Sequence, residues 1–204
     1  MKIICIGRNY AKHAKELNNA LPKEPIFFFK PETALLPKKQ PFFIPNFSND
    51  IHYEAEIVVR INRVGKNIQE KFAHKYYDEI GLGIDFTARD LQQICKEKGL
   101  PWEKAKAFDG SAPVGQTFIP ISELSDVKDI NFSLLINGEQ RQVGNTSDMI
   151  FSINSIIAYV SQFVTLKIGD LLFTGTPEGV GQIKINDHLE GYIENSKVLD
   201  LKIK

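Results

Sequence analysis

Glu54 and Glu56 stand one residue apart at the opening of EAEIVVRI, and Asp85 lies inside the apolar stretch EIGLGIDF. Alternate residues of a strand share a face, so the two glutamates would project side by side, and like charges that close require something positive between them. A hard divalent cation satisfies that need. Oxygen-only ligands select magnesium, manganese or calcium over zinc, and a partial protein shell leaves positions for water and a chelating substrate. Two other readings stay open from the residues alone. In one, Glu54, Glu56 and Arg60 form the wet face of an amphipathic strand whose dry face is Ala55, Ile57, Val59 and Ile61, while Asp85 caps a helix beginning near Thr87. In the other, the acids pair with Arg89 or Lys106 in an ion network that needs no metal.

The elements that must position these residues are mostly strands. KIICIG reads as a first strand, and residues 9–17 as a short helix carrying His13 and Glu16 three apart on one face. Taken alone, that pair is an ordinary exposed helical couple. Residues 21–50 carry Pro22, Pro25, Pro31, Pro37, Pro41 and Pro45 and are expected to be extended, with FFF at 27–29 as a short strand. Further strands are predicted over 54–61, 80–86, 131–136, 171–174 and 197–203. Helices are predicted over about 87–98, with Leu91, Ile94 and Cys95 inward and Gly99 and Pro101 stopping it, and over about 148–164, with Asp148 near its start and Ile150, Ile153, Ile157, Val160 and Val164 buried. Asn137 and Gly138 mark a hairpin. The balance predicts an α+β, strand-rich fold, a rolled or sandwiched mixed sheet rather than a doubly wound one.

GTPEGVG at 175–181 is glycine-rich but lacks the Lys-Ser/Thr pair of a phosphate-binding loop and runs into QIKI instead of a helix. It reads either as a plain turn or as one that brings backbone N–H groups and Thr176 to a small anionic ligand. Arg8 and Tyr10, just after the first strand, carry the same two readings.

The chain has 204 residues, with 25 Lys and Arg balancing 25 Asp and Glu. That length suits one domain, with room for a small N-terminal appendage. The zero net charge and the absence of a basic patch argue against nucleic acid. The longest apolar segment, around 149–165, is broken by Ser152, Asn154, Ser155, Ser161 and Gln162 and does not read as a membrane span. MKIICIGRNY is too short in its apolar part for a signal peptide, which leads to the expectation of a cytoplasmic protein. Cys5 and Cys95 fit reduced core thiols.

Six segments, GRNYAKHAKE, FFFKPETAL, IHYEAEIVV, GIDFTARDLQ, GLPWEKAKAFDGSAPVG and GDLLFTGTPEGVG, occur in the order typical of the fumarylacetoacetate hydrolase family, and nearly the whole chain resembles it. The resemblance is to the short, single-domain branch that includes acylpyruvases and oxaloacetate decarboxylases. It implies a mixed β-sandwich roll of the C-terminal-domain type over 1–204, a homodimer, and Mg2+ or Mn2+ (Ca2+ in a crystal) held by Glu54, Glu56 and Asp85. It implies a His13–Glu16 dyad on a lid helix within 1–20 that orders when substrate binds, with Lys106 as a third catalytic group. Substrate contacts are expected from Arg8, Tyr10, Arg89, Gln92 and Thr176.

The implied chemistry starts from a 2-oxo acid chelating the metal. Water deprotonated near Glu16, with His13 sharing the proton, attacks the distal carbonyl of an acylpyruvate, and the carbon–carbon bond breaks to give pyruvate enolate, stabilised by the metal and Lys106. Oxaloacetate decarboxylation passes through the same enolate without the water. The leading expectation is therefore a metal-dependent acylpyruvate hydrolase with a decarboxylase side activity. Its rivals are an isomerase or tautomerase of related dioic acids and a non-catalytic oxo-acid-binding protein. Phe28, Phe29 and Trp102 are candidates for an acyl pocket or for plain core.

Overall fold

Short runs rich in Ile, Val, Leu and Phe, punctuated by Gly, Pro and Asn, give strands rather than long helices. The computed structural model describes residues 1–17 and 20–204. Its strands are β1 (Ile3–Gly7), β2 (Ile26–Lys30), β3 (Ile51–Tyr53), β4 (Ala55–Arg60), β5 (Glu79–Ile84), β6 (Thr87–Ala88), β7 (Ile119–Pro120), β8 (Asn131–Ile136), β9 (Glu139–Asn145), β10 (Leu171–Phe173), β11 (Gly181–Gln182), β12 (His188–Ile193) and β13 (Ser196–Lys202). The helices are α1 (Ala11–Glu16), α2 (Glu70–Ala73), α3 (Arg89–Lys98), α4 (Glu103–Lys106) and α5 (Ile153–Phe163). The expected lid segment, 1–20, thus contains α1, with residues 18 and 19 outside the described residues.

Three sheets form the roll. A six-stranded sheet runs β2-β1-β10-β4-β5-β7, a three-stranded sheet β11-β3-β6, and a four-stranded sheet β13-β12-β8-β9. Among the described strands of the large sheet only β1 and β10 pair in parallel, so that sheet is mixed. One apolar core joins Ile4, Ile57, Val59, Leu82 and Leu172 of that sheet to Ile153, Ile156, Ile157 and Val160 of α5. A second joins Ile84 and Phe86 to Leu134, Leu189, Leu199 and Leu201 of the four-stranded sheet. Cys5 and Cys95 are both buried free thiols. Among the described residues, no helix is long and apolar enough to cross a membrane.

Three local expectations change. The amphipathic reading of 54–61 fails because β4 lies between β10 and β5 with both faces covered: Ile57 and Val59 pack in one core, Val58 in another, and Glu54 and Glu56 are buried. On α3 the inward residues are Gln92 and Cys95, whereas Ile94 is exposed. Leu91 packs half-buried against the second core as expected, and the stripe rotates away from Ile94 because this helix presents Gln92 to a site. Helix α5 opens at Ile153, not near Asp148. Ser152 caps it by accepting the Ser155 N–H, and Thr146–Asp148 forms a separate 3-10 turn. The hairpin is as expected, with Asn137 and Gly138 at φ 54° and 81°, the left-handed pair of a type I′ turn.

Gly83 matters for the site because it pairs with Glu56 across β4 and β5. A Cβ there would meet the Phe173 ring at 2.7 Å and Val58 Cγ2 at 2.8 Å. Both neighbours are fully buried and cannot retreat. Gly83→Ala is therefore expected to destabilise the fold by about 1–3 kcal/mol, the usual range for overpacking. Denaturant unfolding checks this, and an unchanged midpoint would refute it.

Candidate active site

Pairing of Ala55 with Ile84 carries Glu54 and Asp85 to the same end of the sheet, where the Asp85 N–H donates to the Glu54 carbonyl at 2.8 Å. Glu56 follows one pleat later. The three carboxylates are 5%, 1% and 2% exposed and offer oxygens all within 4.8 Å of one another. Charge at that density, away from water, demands compensation.

Three cations supply it from three different elements. Lys106, at the end of α4, donates 2.7 Å hydrogen bonds to Glu54 Oε2 and to Asp85 Oδ2. Arg89 Nη2, at the start of α3, donates to Glu54 Oε1 at 2.6 Å. Lys30 Nζ, at the end of β2, lies 2.6 Å from Asp85 Oδ1. Its three protons, however, serve the Ser111 carbonyl, Ser111 Oγ and the Phe86 carbonyl. Asp85 Oδ1 therefore has a counter-charge but no directed hydrogen bond. The expected ion network with Arg89 and Lys106 is thus present, and Asp85 caps nothing, since α3 starts after Ala88.

The network leaves Glu56 aside. Its Oε2 accepts the Gly175 N–H at 2.7 Å, and among the described residues no Lys or Arg pairs with it. Burial, then Asp85, then Glu54 push its carboxyl well above the usual carboxylate range. For Glu54, burial acts in the same upward direction, but Lys106 and Arg89 outweigh it and hold the group below its ordinary value. A buried carboxylate oxygen without a hydrogen bond and a neighbouring glutamate without a cation, in an all-oxygen donor set, fit a hard divalent cation.

One cavity joins this cluster to His13, Arg8, Arg89, Gln92, Thr176 and Lys106. His13 is buried on α1, its Nδ1 3.0 Å from Glu16 Oε2. Glu16 in turn accepts the Gly179 N–H through Oε1 at 3.1 Å. Gln92 accepts from Arg89 Nη1 at 2.7 Å, which fixes the guanidinium that holds Glu54. Thr176 donates to the Ala55 carbonyl and accepts from Gln142, so its hydroxyl is anchored to the strand between the two glutamates. Phe28 and Trp102 also line the cavity, whereas Phe29 is 40% exposed and lies outside its lining.

Tyr10 does not join the site. It is buried in the core edge-on to Phe132 and is not among the cavity's lining residues. The 175–181 loop admits two readings, a plain turn or an anion contact. Its Gly175 and Gly179 N–H groups donate to Glu56 and Glu16 of the chain itself, while Thr176 lines the cavity. Both glycines have left-handed backbone, φ 100° and 94°, and a Cβ on Gly179 would sit 2.4 Å from the Arg141 carbonyl oxygen.

Sequence reasoning missed Lys30, Asn9 and Gln142. Lys30 had a readable signal, a lysine ending an aromatic strand in FFFKP. Asn9 bonds the Thr174 and Phe151 carbonyls and the Phe151 N–H, pinning the end of β10 beside β1. Gln142 accepts the Ala55 N–H and donates to Thr176 and Pro177. Nothing in EQRQVGN separates it from an ordinary exposed strand residue.

The "Fumarylacetoacetate (FAA) hydrolase C-terminal" family matches residues 2–204. The chain is 45% identical over 202 residues to "Oxaloacetate tautomerase FAHD1, mitochondrial" of Mus musculus, covering 99% of this chain and 91% of that protein. It is 44% identical over 184 residues to "Oxaloacetate decarboxylase, mitochondrial" of Dictyostelium discoideum, covering 90% of this chain and 84% of that protein. A crystal structure of fumarylpyruvate hydrolase from Pseudomonas aeruginosa, in complex with Mn2+ and pyruvate, superposes with a TM-score of 0.93 at 36% identity, covering 100% of this chain and 89% of that one.

Two measurements follow from the charge layout. Lys30→Met leaves Asp85 buried beside one fewer cation and is expected to cost about 3–5 kcal/mol of stability, read by denaturant unfolding. The second concerns pH in chelator. An unfolded glutamate loses its proton near about pH 4.3, but folded Glu56 keeps its proton to higher pH, so this group lowers stability as pH rises through that window. Glu54 has the opposite sign, contributing stability above that pH and losing it on acidification. The melting temperature of Glu56→Gln minus that of the wild type should therefore widen as pH rises from about 4.5. A gap constant with pH would exclude the raised carboxyl.

Proposed function

This chain belongs to the fumarylacetoacetate hydrolase family, and we propose that it is an enzyme of 2-oxo dicarboxylic acids, interconverting the keto and enol forms of oxaloacetate-class substrates. One observation carries the reading: the His13 ring and the Glu54, Glu56, Asp85 and Lys106 cluster line the same small cavity. Proton transfer next to a carbonyl needs a base at carbon and a stabiliser at oxygen. The cavity offers one on each side.

A magnesium or manganese ion held by Glu54, Glu56 and Asp85 would supply Lewis acidity to polarise the 2-oxo group. Lys106 acts beside it. Burial opposes its charge, but Asp85 and Glu54 raise its pKa above the ordinary lysine value, so it stays an ammonium that donates hydrogen bonds to a developing oxyanion. It cannot serve as the base. His13 can: pairing with the Glu16 carboxylate places the ring proton on Nδ1 and leaves Nε2 as the acceptor. Nε2 takes the proton from C3 of the keto acid, electrons move onto the 2-oxo oxygen, and return of that proton from the imidazolium to the oxygen, by way of solvent, completes the enol and restores the neutral ring. In the reverse direction the same nitrogen returns a proton to C3. Decarboxylation uses the same electron movement with carbon dioxide leaving in place of the proton.

Acylpyruvate cleavage is the second reading, and Glu16 favours it. Its carboxylate is partly exposed and fixed by the Gly179 N–H, as a group that draws a proton from water would be. The oxaloacetate names belong to relatives at 44–45% identity and the fumarylpyruvate hydrolase name to one at 36%, which supports putting oxaloacetate chemistry first and acylpyruvate cleavage second.

The test follows enol decay and pyruvate release from oxaloacetate, and pyruvate release from acetylpyruvate, with chelator and then with added Mg2+ or Mn2+. Tautomerisation above the buffer rate, lost on chelation and reduced by about a hundredfold or more in His13→Ala, is expected. Full tautomerisation in exhaustively chelated protein would sink the metal-assisted reading, and an undiminished His13→Ala would remove the base.

A further inference from the structure

Two cations of the cavity have no role in holding the acids. Arg89 and Lys106 are committed to Glu54 and Asp85, and Lys30 supports Asp85 from beneath. Those three positive charges balance the three carboxylates. Arg8 and Lys96 also line the cavity, yet among the described residues neither forms an ion pair or a side-chain hydrogen bond. The cavity lining therefore carries two surplus positive charges before any cation joins the carboxylates.

We propose that Arg8 and Lys96 form a second anion subsite, which selects 2-oxo acids bearing a distal carboxylate over the corresponding monoacids. The assignment rests on the function proposed above and deepens it, since it names which oxo acids the site prefers. Three features support it. Lys96 projects from α3 two turns after Arg89, so it sits on the same helix as the guanidinium that braces Glu54 but beyond it. Arg8 holds a left-handed backbone, φ 59°, directly after β1, a conformation uncommon for a residue with a side chain and found at sites where placement matters. Finally, burial and then the like charges of Arg89 and Arg8 lower the Lys96 pKa from its ordinary value, so these cations repel one another across the cavity. An anionic group received there relieves both terms. A methyl or alkyl group relieves neither.

The test uses two 2-oxo acids of equal chain length that differ only in the second carboxylate, 2-oxoglutarate and 2-oxovalerate. Calorimetric Kd values are measured with Mg2+ present for the wild type, Lys96→Met, Lys96→Arg and Arg8→Asn, the last chosen because asparagine tolerates left-handed backbone. The wild type is expected to prefer the diacid. Loss of one charge-assisted contact should shrink that preference by about tenfold or more in Lys96→Met and Arg8→Asn. Lys96→Arg, which keeps the charge, should retain most of it. A preference unchanged in both neutral variants, or parallel weakening of both ligands, would overturn the subsite. Oxaloacetate turnover by the same wild-type protein separates the two readings. Turnover with an unaltered preference in the variants removes the subsite alone, and a variant-sensitive preference without turnover removes the proposed activity alone.

Discussion

Burying three carboxylates with oxygens within 4.8 Å of one another is the condition the rest of this molecule satisfies. Each ion withdrawn from water forfeits several kcal/mol of hydration even after relaxation, and neighbouring like charges add to that. No single element of the chain could offset such a cluster. The strand pair β4 and β5 brings the acids together, and the cations come from the ends of β2, α3 and α4, segments separated by long stretches of sequence. The roll is the topology that lets all of these ends meet. Apolar clusters pack on the strands that carry the acids, and the carboxylates stay buried.

Much of this arrangement is legible in the residues. The alternation at Glu54 and Glu56, the acid at the end of an apolar strand at Asp85, and the Asn137-Gly138 hairpin are local signals, and local physics decides them. What escapes depends on the neighbours. The strand 54–61 has the pattern of a half-wet strand, and only the apolar clusters packed on both sides of the sheet, Ile57 and Val59 in one and Val58 in another, make both faces dry. Ile94 should be inward by periodicity alone, but the inner face of α3 is set by the ion pair at Arg89, which turns Gln92 to the cavity instead. Lys30 and Gln142 act across long separations, and no window of sequence contains both partners. Tyr10 reads as a substrate contact because it follows Arg8. The left-handed backbone at Arg8 breaks the strand alternation between them, and Arg8 lines the cavity whereas Tyr10 is buried in the core.

The site divides its work between a fixed half and an adjustable half. Glu54, Glu56, Asp85, Lys30 and Lys106 are buried together and linked by short contacts, so substitution of one disturbs its neighbours. His13 and Glu16 come from a six-residue helix joined to the rest by few polar contacts, chiefly the Gly179 N–H and a surface pairing of Lys12 with Glu178. On the function proposed above, a fixed electrostatic floor beneath a His13–Glu16 pair held by these few contacts would serve related proton and carbon–carbon chemistries. The relatives' differing names are compatible with such a division of labour.

The loop from Gly175 to Gly179 holds Glu56 through its first amide and Glu16 through its last. It therefore works as a ruler between the floor and the acid–base pair, and the number of residues in it matters as much as their identities. Thr176 is held by Ala55 and Gln142 and Pro177 is buried with its carbonyl accepting from Gln142, but Glu178 pairs at the surface, so a change of side chain there can be accommodated. An insertion or deletion cannot, because it would shift one amide relative to the other by most of a residue's length, about 3 Å, more than a hydrogen bond tolerates. Among homologous chains, constancy of this spacing is the trace such a ruler would leave.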